Sequence, residues 1–194
     1  MPNPVNPIAD DIVYGRQALR NGEPWIVPAA LAALEQVVCD DWTVFEWGSG
    51  GSTVYWARRC KFVVSVEHNQ EWLARTHELL RKLAAPRQRV QLMWFKRGED
   101  DTFKEYASAI EPWPPESFDL VYVDGEASSR GWCLTAALPR VKLGGYLLLD
   151  NSDWLKRDLG DAWERQDFVE RGLHWVGQDG TFDWWTSLLR KVKV

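Results

Sequence analysis

Paired cysteines, zinc-type histidine spacing, a surplus of positive charge and a membrane-length apolar run are all missing from this chain of 194 residues. Cys39, Cys60 and Cys133 form no CxxC pair, and His68, His77 and His174 show no HExxH spacing. Neither a disulfide framework nor a zinc site is signalled. The formal charge of −5 and the pI near 5.3 argue against a nucleic-acid backbone as main partner, which would favour a clustered basic face. Arg58, Arg59 and Lys61 read as a solvated helix end, where positive charge meets the helix dipole. No apolar stretch reaches the roughly 20 residues of a bilayer span, and the opening MPNPVNPIADD has neither a basic head nor an apolar core. A soluble, cytoplasmic protein without a membrane partner is expected, and the sequence says nothing of oligomeric state.

Tryptophan is abundant, with 13 in the chain, and most must serve packing. The length suits one core. Residues 1–23, rich in Pro, Asn, Asp and Gly, read as an N-terminal arm, and residues 24–194 as a single domain. Short apolar runs ended by turn signals alternate with helical periods: TVFEWG, KFVVSVEH, RVQLMWF, FDLVYVDG and GGYLLLDN read as five strands. Between them lie helices from Pro28, from Ser52 and Thr53 as caps, from Asn69 as N-cap to about residue 84, over 102–110, and through SSRGWCLTAALPRV. Gly144 and Gly145 read as the turn into the fifth strand. A polar helix around 153–170 and two aromatic strands follow, LHWVG and an edge-like DWWTSLLRKVKV. The alternation predicts an α/β fold, doubly wound around a mostly parallel sheet with an antiparallel C-terminal strand.

The stretch VFEWGSGGST concentrates the chemistry. A phosphate-binding Walker loop needs a lysine that is absent here. The dinucleotide fingerprint GxGxxG is met at Gly48 and Gly50, but Thr53 stands where the third glycine belongs. Glu67 ends the next strand about 20 residues further on, the distance at which a Rossmann-like site offers an acid to ribose hydroxyls.

An acid, two spaced glycines and a small residue, filled here by Glu46, Gly48, Gly50 and Ser52, resemble the first motif of class I S-adenosylmethionine-dependent methyltransferases. FDLVYVDGE and LPRVKLGGYLLLDN resemble the later segments of that family, so the likeness spans about residues 43 to 151. It implies a class I methyltransferase fold of the Rossmann-like kind and S-adenosylmethionine as cofactor. Glu46, Gly48, Ser49, Gly50, Ser52, Thr53, Glu67, His68, Asp100 and Asp124 would line the cofactor, with Asp124 and Asp150 nearest the chemistry. Asp124, Asp150 and Asn151 further resemble the Mg²⁺ ligands of catechol-type O-methyltransferases, although DGEASSR departs from the context of that group and its usual lysine is absent. Arg130 either shapes the acceptor site or pairs with a surface acid. Trp184 and Trp185 read as packing on the last strand.

The resemblance therefore implies methyl transfer to a small molecule, at oxygen rather than nitrogen, since VDGE replaces the Asn/Asp-Pro-Pro-Tyr signature of nucleic-acid amino methylation. Two other classes stay open at this point. One is an NAD-dependent oxidoreductase or epimerase on a Rossmann-like core, and the other a non-catalytic module that binds the cofactor without turnover.

Overall fold

The computed structural model describes residues 17–96, 103–155, 157–174 and 181–193. After a helical stretch at residues 17–21, Pro28 opens α1 (Pro28–Glu35), where its missing N–H has no intrahelical partner to lose. Strand β1 (Thr43–Trp47) is apolar because both of its faces are covered, and it runs into α2 (Gly51–Arg59). Ser52 and Thr53 lie inside the first turn of α2 rather than before it. Gly50 is the N-cap, and its N–H donates back to Thr53 Oγ at 2.9 Å.

Strand β2 (Phe62–Glu67) leads into α3 (Gln70–Lys82), and Asn69 caps this helix as expected, its side chain accepting from Trp72 N at 3.0 Å. Then come β3 (Val90–Trp94), α4 (Lys104–Ala107), β4 (Phe118–Val123), α5 (Arg130–Ala137) and β5 (Val141–Asp150). The chain closes with β6 (Trp163–His174) and β7 (Thr181–Lys191).

The seven strands form one sheet in the order β3-β2-β1-β4-β5-β7-β6. Neighbours among β1 to β5 are parallel, whereas β7 runs antiparallel to both β5 and β6. This is the doubly wound, mostly parallel arrangement that the alternation predicts. One core cluster, with Phe45, Trp47 and Val121, fills the face under α4 and α5, and another, with Leu34, Val44, Trp56 and Leu148, fills the face under α1 and α2.

Three expectations are corrected. The span 153–170 is not a helix: after two short 3-10 turns it enters β6, the outermost strand. Glu164 to Asp167 on that strand are all exposed, so no apolar alternation marks it. DWWTSLLRKVKV is not the edge either, because β7 lies between β5 and β6. Gly144 and Gly145 sit within β5, where the register against β4 shifts between Phe118 and Leu120. Gly144 takes φ +82°, and a Cβ on Gly145 would lie 2.9 Å from Asp119 O, so the pair makes a bulge rather than a turn. Of LHWVG, residues 175–177 lie outside the described residues.

Candidate functional site

In an open α/β sheet the ligand crevice lies beyond the carboxyl ends of the strands where the winding reverses. Here that point is between β1 and β4. The backbone knits the strand tips together: Asp124 N and Gly125 N both donate to Trp47 O, at 3.2 and 2.9 Å, and Gly48 N donates to Val66 O at 2.8 Å. Gly48 has φ +95°, and a Cβ there would lie 2.7 Å from Gly125 N. Only glycine lets these two loops meet. Gly51 has a different reason to be glycine, since a Cβ there would lie 2.3 Å from Glu23 O, which packs across the start of α2.

Glu46 and Thr53, expected against a cofactor, turn inward. Glu46 is fully buried and accepts a short hydrogen bond from Thr53 Oγ and one from Trp56 Nε1 at 3.1 Å. Burial pushes its carboxyl up to about 7 against the opposing hydrogen bonds from Thr53 and Ser65. Thr53 is also fully buried, so the residue in the third-glycine position ties loop to strand from beneath.

Glu67 ends β2 and is fixed by three backbone donors: Ser49 N at 3.0 Å on one oxygen, and His68 N at 2.9 Å and Asn69 N at 2.8 Å on the other. A carboxylate has about four lone-pair sites, so one remains beyond the three already used. Ser49 is held on every side, its hydroxyl 2.8 Å from Ser65 Oγ and its carbonyl accepting from Trp72 Nε1 at 2.5 Å. His68 Nδ1 lies 3.1 Å from Glu67 Oε1, with the ring partly exposed at the mouth. Ser52 is buried in the first turn of α2. Asp100 lies outside the described residues.

At the tips of β4 and β5 a single guanidinium holds the acids. Arg130 Nη2 donates to Asp124 Oδ1 at 2.9 Å, and Nη1 donates to Asp150 O at 2.6 Å and to Asn151 Oδ1 at 2.8 Å. Gly125 O takes the remaining edge. The Arg130 side chain is 8% exposed, Asp124 31% and Asp150 8%. Tyr122 OH donates to Asp124 at 3.0 Å, while Trp184 Nε1 and Thr186 Oγ donate to Asp150 Oδ1, each at 3.0 Å. Burial raises both carboxyls, with Arg130 opposing it, and Asp150 reaches about 8, pushed further by the Asp124 charge.

Sequence resemblance set Asp124, Asp150 and Asn151 beside a cation, and the structure brings all three together. It also brings their cation, as a side chain. A hard divalent ion needs free oxygen ligands, but Asp124 Oδ1 and Asn151 Oδ1 already accept from Arg130 and Asp150 Oδ1 accepts from Trp184 and Thr186, so the trio does not fit Mg²⁺. Among the described residues no group of three His, Cys, Asp or Glu side chains is arranged to hold a metal.

Sequence reasoning missed Tyr106 of α4. It belongs to no motif, yet a Cβ on Gly125 would lie 2.1 Å from its hydroxyl oxygen, so Gly125 marks it indirectly. Trp184, read as packing, is buried as expected and additionally bonds Asp150. A separate cavity of about 350 Å³, lined by Arg157, Leu159, Trp163, Arg165 and Leu189 among others, contains none of these residues.

Residues 45–152 match a protein family described as a methyltransferase domain. No curated protein sequence matches the chain. Among solved structures, the O-methyltransferase TomG from Streptomyces achromogenes, involved in tomaymycin synthesis and solved with S-adenosylmethionine, is similar at TM-score 0.62 and 15% identity, over 98% of this chain and 97% of that one. An rRNA methylase from Streptococcus thermophilus is similar at TM-score 0.60 and 15% identity, over 85% and 95%. A precorrin 8w decarboxylase from Methanobacterium thermoautotrophicum is similar at TM-score 0.57 and 19% identity, over 88% and 93%. At these identities the likeness carries the fold, which is that of class I methyltransferases.

Proposed function

The chain belongs to the family of methyltransferase domains that its residues 45–152 match, and from that premise we propose that it transfers the methyl group of S-adenosylmethionine to an oxygen atom of a small molecule. The observation that carries the cofactor assignment is Glu67. Three backbone N–H groups aim its carboxylate at the crevice and leave one acceptor site for a ribose hydroxyl. Gly48, Ser49 and Gly50 offer backbone to the methionyl part, and His68 flanks the adenosyl side. Glu46, Ser52 and Thr53 act from below, holding the loop in shape. An NAD site is disfavoured because Thr53 is locked to Glu46 where a pyrophosphate-binding turn requires glycine.

Methyl transfer is an in-line displacement: the acceptor oxygen forms the new C–O bond while the C–S electron pair returns to sulfur. Alignment supplies much of the rate. If the acceptor is a hydroxyl, its proton must leave, and we assign its receipt to Asp124, the more exposed acid, at the β4 tip. No step runs through Mg²⁺, since Arg130 already engages the side-chain oxygens of Asp124 and Asn151, and Trp184 and Thr186 engage Asp150.

The net charge of −5 supports a small acceptor over a nucleic acid. Incubation with methyl-labelled S-adenosylmethionine and a panel of phenols, carboxylic acids, amines and ribosomal RNA tests the assignment. Label in a phenol ether or a carboxylic ester supports it. Label in RNA or an amine, or cofactor binding with no transfer to any acceptor in the panel, opposes it.

A further inference from the structure

Tyr106 is fully buried, and among the described residues its hydroxyl has no hydrogen-bond partner. Buried phenols ordinarily find one, because a hydroxyl stripped of water and left unpaired costs free energy. Its placement is also held. The Trp47 indole donates to Tyr106 O at 2.8 Å, tying α4 to the tip of β1. Gly125, directly after Asp124, supplies the space, since a Cβ there would meet Tyr106 Oη at 2.1 Å and Cζ at 3.1 Å. The chain thus omits a side chain at the strand tip to admit a hydroxyl that has no hydrogen-bond partner among the described residues.

The surroundings limit what that hydroxyl can meet. His68 and Phe103 stand edge-on to the Tyr106 ring, at centroid distances of 5.6 and 6.0 Å, and to each other at 5.4 Å. Burial, with Glu67 and Asp124 nearby, raises the phenol well above its ordinary value, so it keeps its proton and acts as a donor. A ligand carboxylate is disfavoured between those two acids. Ribose hydroxyls are donors suited to Glu67. A flat base with ring-nitrogen acceptors suits three rings and one O–H.

Resting on the S-adenosylmethionine reading above, we propose that the Tyr106 hydroxyl, seated against Gly125, is an adenine-reading donor, hydrogen-bonded to a ring nitrogen of the bound adenosyl group. Among the described residues this donor is unpaired, and the cofactor satisfies it.

Calorimetric titration of the full chain and of Tyr106→Phe with S-adenosylhomocysteine, and with its analogues in which one adenine ring nitrogen at a time is replaced by CH, tests this. S-adenosylhomocysteine is expected to bind Tyr106→Phe about tenfold more weakly than the wild type, as for one lost hydrogen bond. One analogue should lose the same factor on the wild type yet bind Tyr106→Phe no worse than S-adenosylhomocysteine does. Gly125→Ala, which crowds the hydroxyl, should also weaken binding. Equal affinity for Tyr106→Phe and wild type, or analogue losses identical on both proteins, overturns the inference while leaving the cofactor reading intact. A wild type that binds no S-adenosylhomocysteine overturns both.

Discussion

Arg130 donates to Asp124 at 2.9 Å from a side chain only 8% exposed, and the same guanidinium reaches the carbonyl of Asp150 and the side chain of Asn151. It thereby joins the tips of β4 and β5 on one side of the crevice. Arginine suits this because a planar fork of five donors can serve several oxygens at once, which a lysine ammonium cannot.

Arg130→Met should therefore be costly. It leaves Asp124 without a counter-charge and takes a donor from three further oxygens, Asp150 O, Asn151 Oδ1 and Gly125 O, and breaking a buried pair from one side costs about 3–5 kcal/mol. Solvent at Asp124 moderates this, so a loss near the lower end, about 3 kcal/mol, is expected from urea unfolding. Arg130→Lys should recover little of it. A loss below about 1 kcal/mol, the level of an exposed ion pair, would show that the clamp is not structural.

The same contacts predict indifference to Mg²⁺. Chelation by EDTA, followed by titration with Mg²⁺, should change neither the melting temperature nor the affinity for S-adenosylhomocysteine. An increase in either on adding Mg²⁺ would mean that the ion displaces the guanidinium.

Glu46 gives a pH dependence with a definite sign. Its folded value, about 7, lies above the ordinary glutamate value of 4.5, so between these the folded chain holds a proton that the unfolded chain has lost. Stability from this group is fully present below about pH 4.5 and is lost as pH rises through about 7. Asp150, raised from 3.8 to about 8, acts in the same direction. Glu46→Gln copies the protonated form: its amide can donate to Thr53 Oγ while its oxygen accepts from Trp56. The variant should lessen the loss of stability between mildly acidic and mildly alkaline pH by on the order of 2 kcal/mol, measured by urea unfolding. An unchanged pH slope would rule out Glu46 as its source.

Gly51→Ala tests whether the segment before α1 is seated on α2. The added methyl meets Glu23 O at 2.3 Å and Ala18 O at 2.9 Å, both backbone atoms that cannot swing aside. Forced overpacking of this kind costs about 1–3 kcal/mol, which thermal unfolding would register. Gly131→Ala, where nothing lies within 4 Å, is the control and should not destabilise.

How far the sequence could be read depended on where each residue ended up. The strands β1, β2 and β4 and the end of β5 from Leu147 are buried on both faces, so their apolar runs were plain, and Asn69 declared its cap by residue type. Strand β6 escaped because an exposed edge carries Glu164, Arg165 and Gln166 with no apolar period, and polar runs resemble solvated helices. At the site, Gly48, Glu67 and Asp124 were legible because backbone geometry and strand ends leave marks in local order. Arg130 was legible only as a choice between the acceptor site and a surface acid, and Tyr106 not at all, since their importance comes from contacts across the fold: Arg130 with Asp150, 20 residues away, and Tyr106 with the empty side of Gly125. The inward turn of Glu46 and Thr53 was equally hidden, because a motif gives residue order but not which way a carboxylate faces.

The central claim is that Glu67 and the glycine loop hold an adenosyl sulfonium rather than a dinucleotide. Calorimetric titration of wild type and Glu67→Gln with S-adenosylmethionine, S-adenosylhomocysteine and NAD tests it most directly. The wild type should bind the first two and not NAD, and Glu67→Gln should weaken both by about 1–3 kcal/mol as a lost buried acceptor. Tight binding of NAD without the sulfonium pair, or a Glu67→Gln variant that binds them as well as the wild type, would contradict the account.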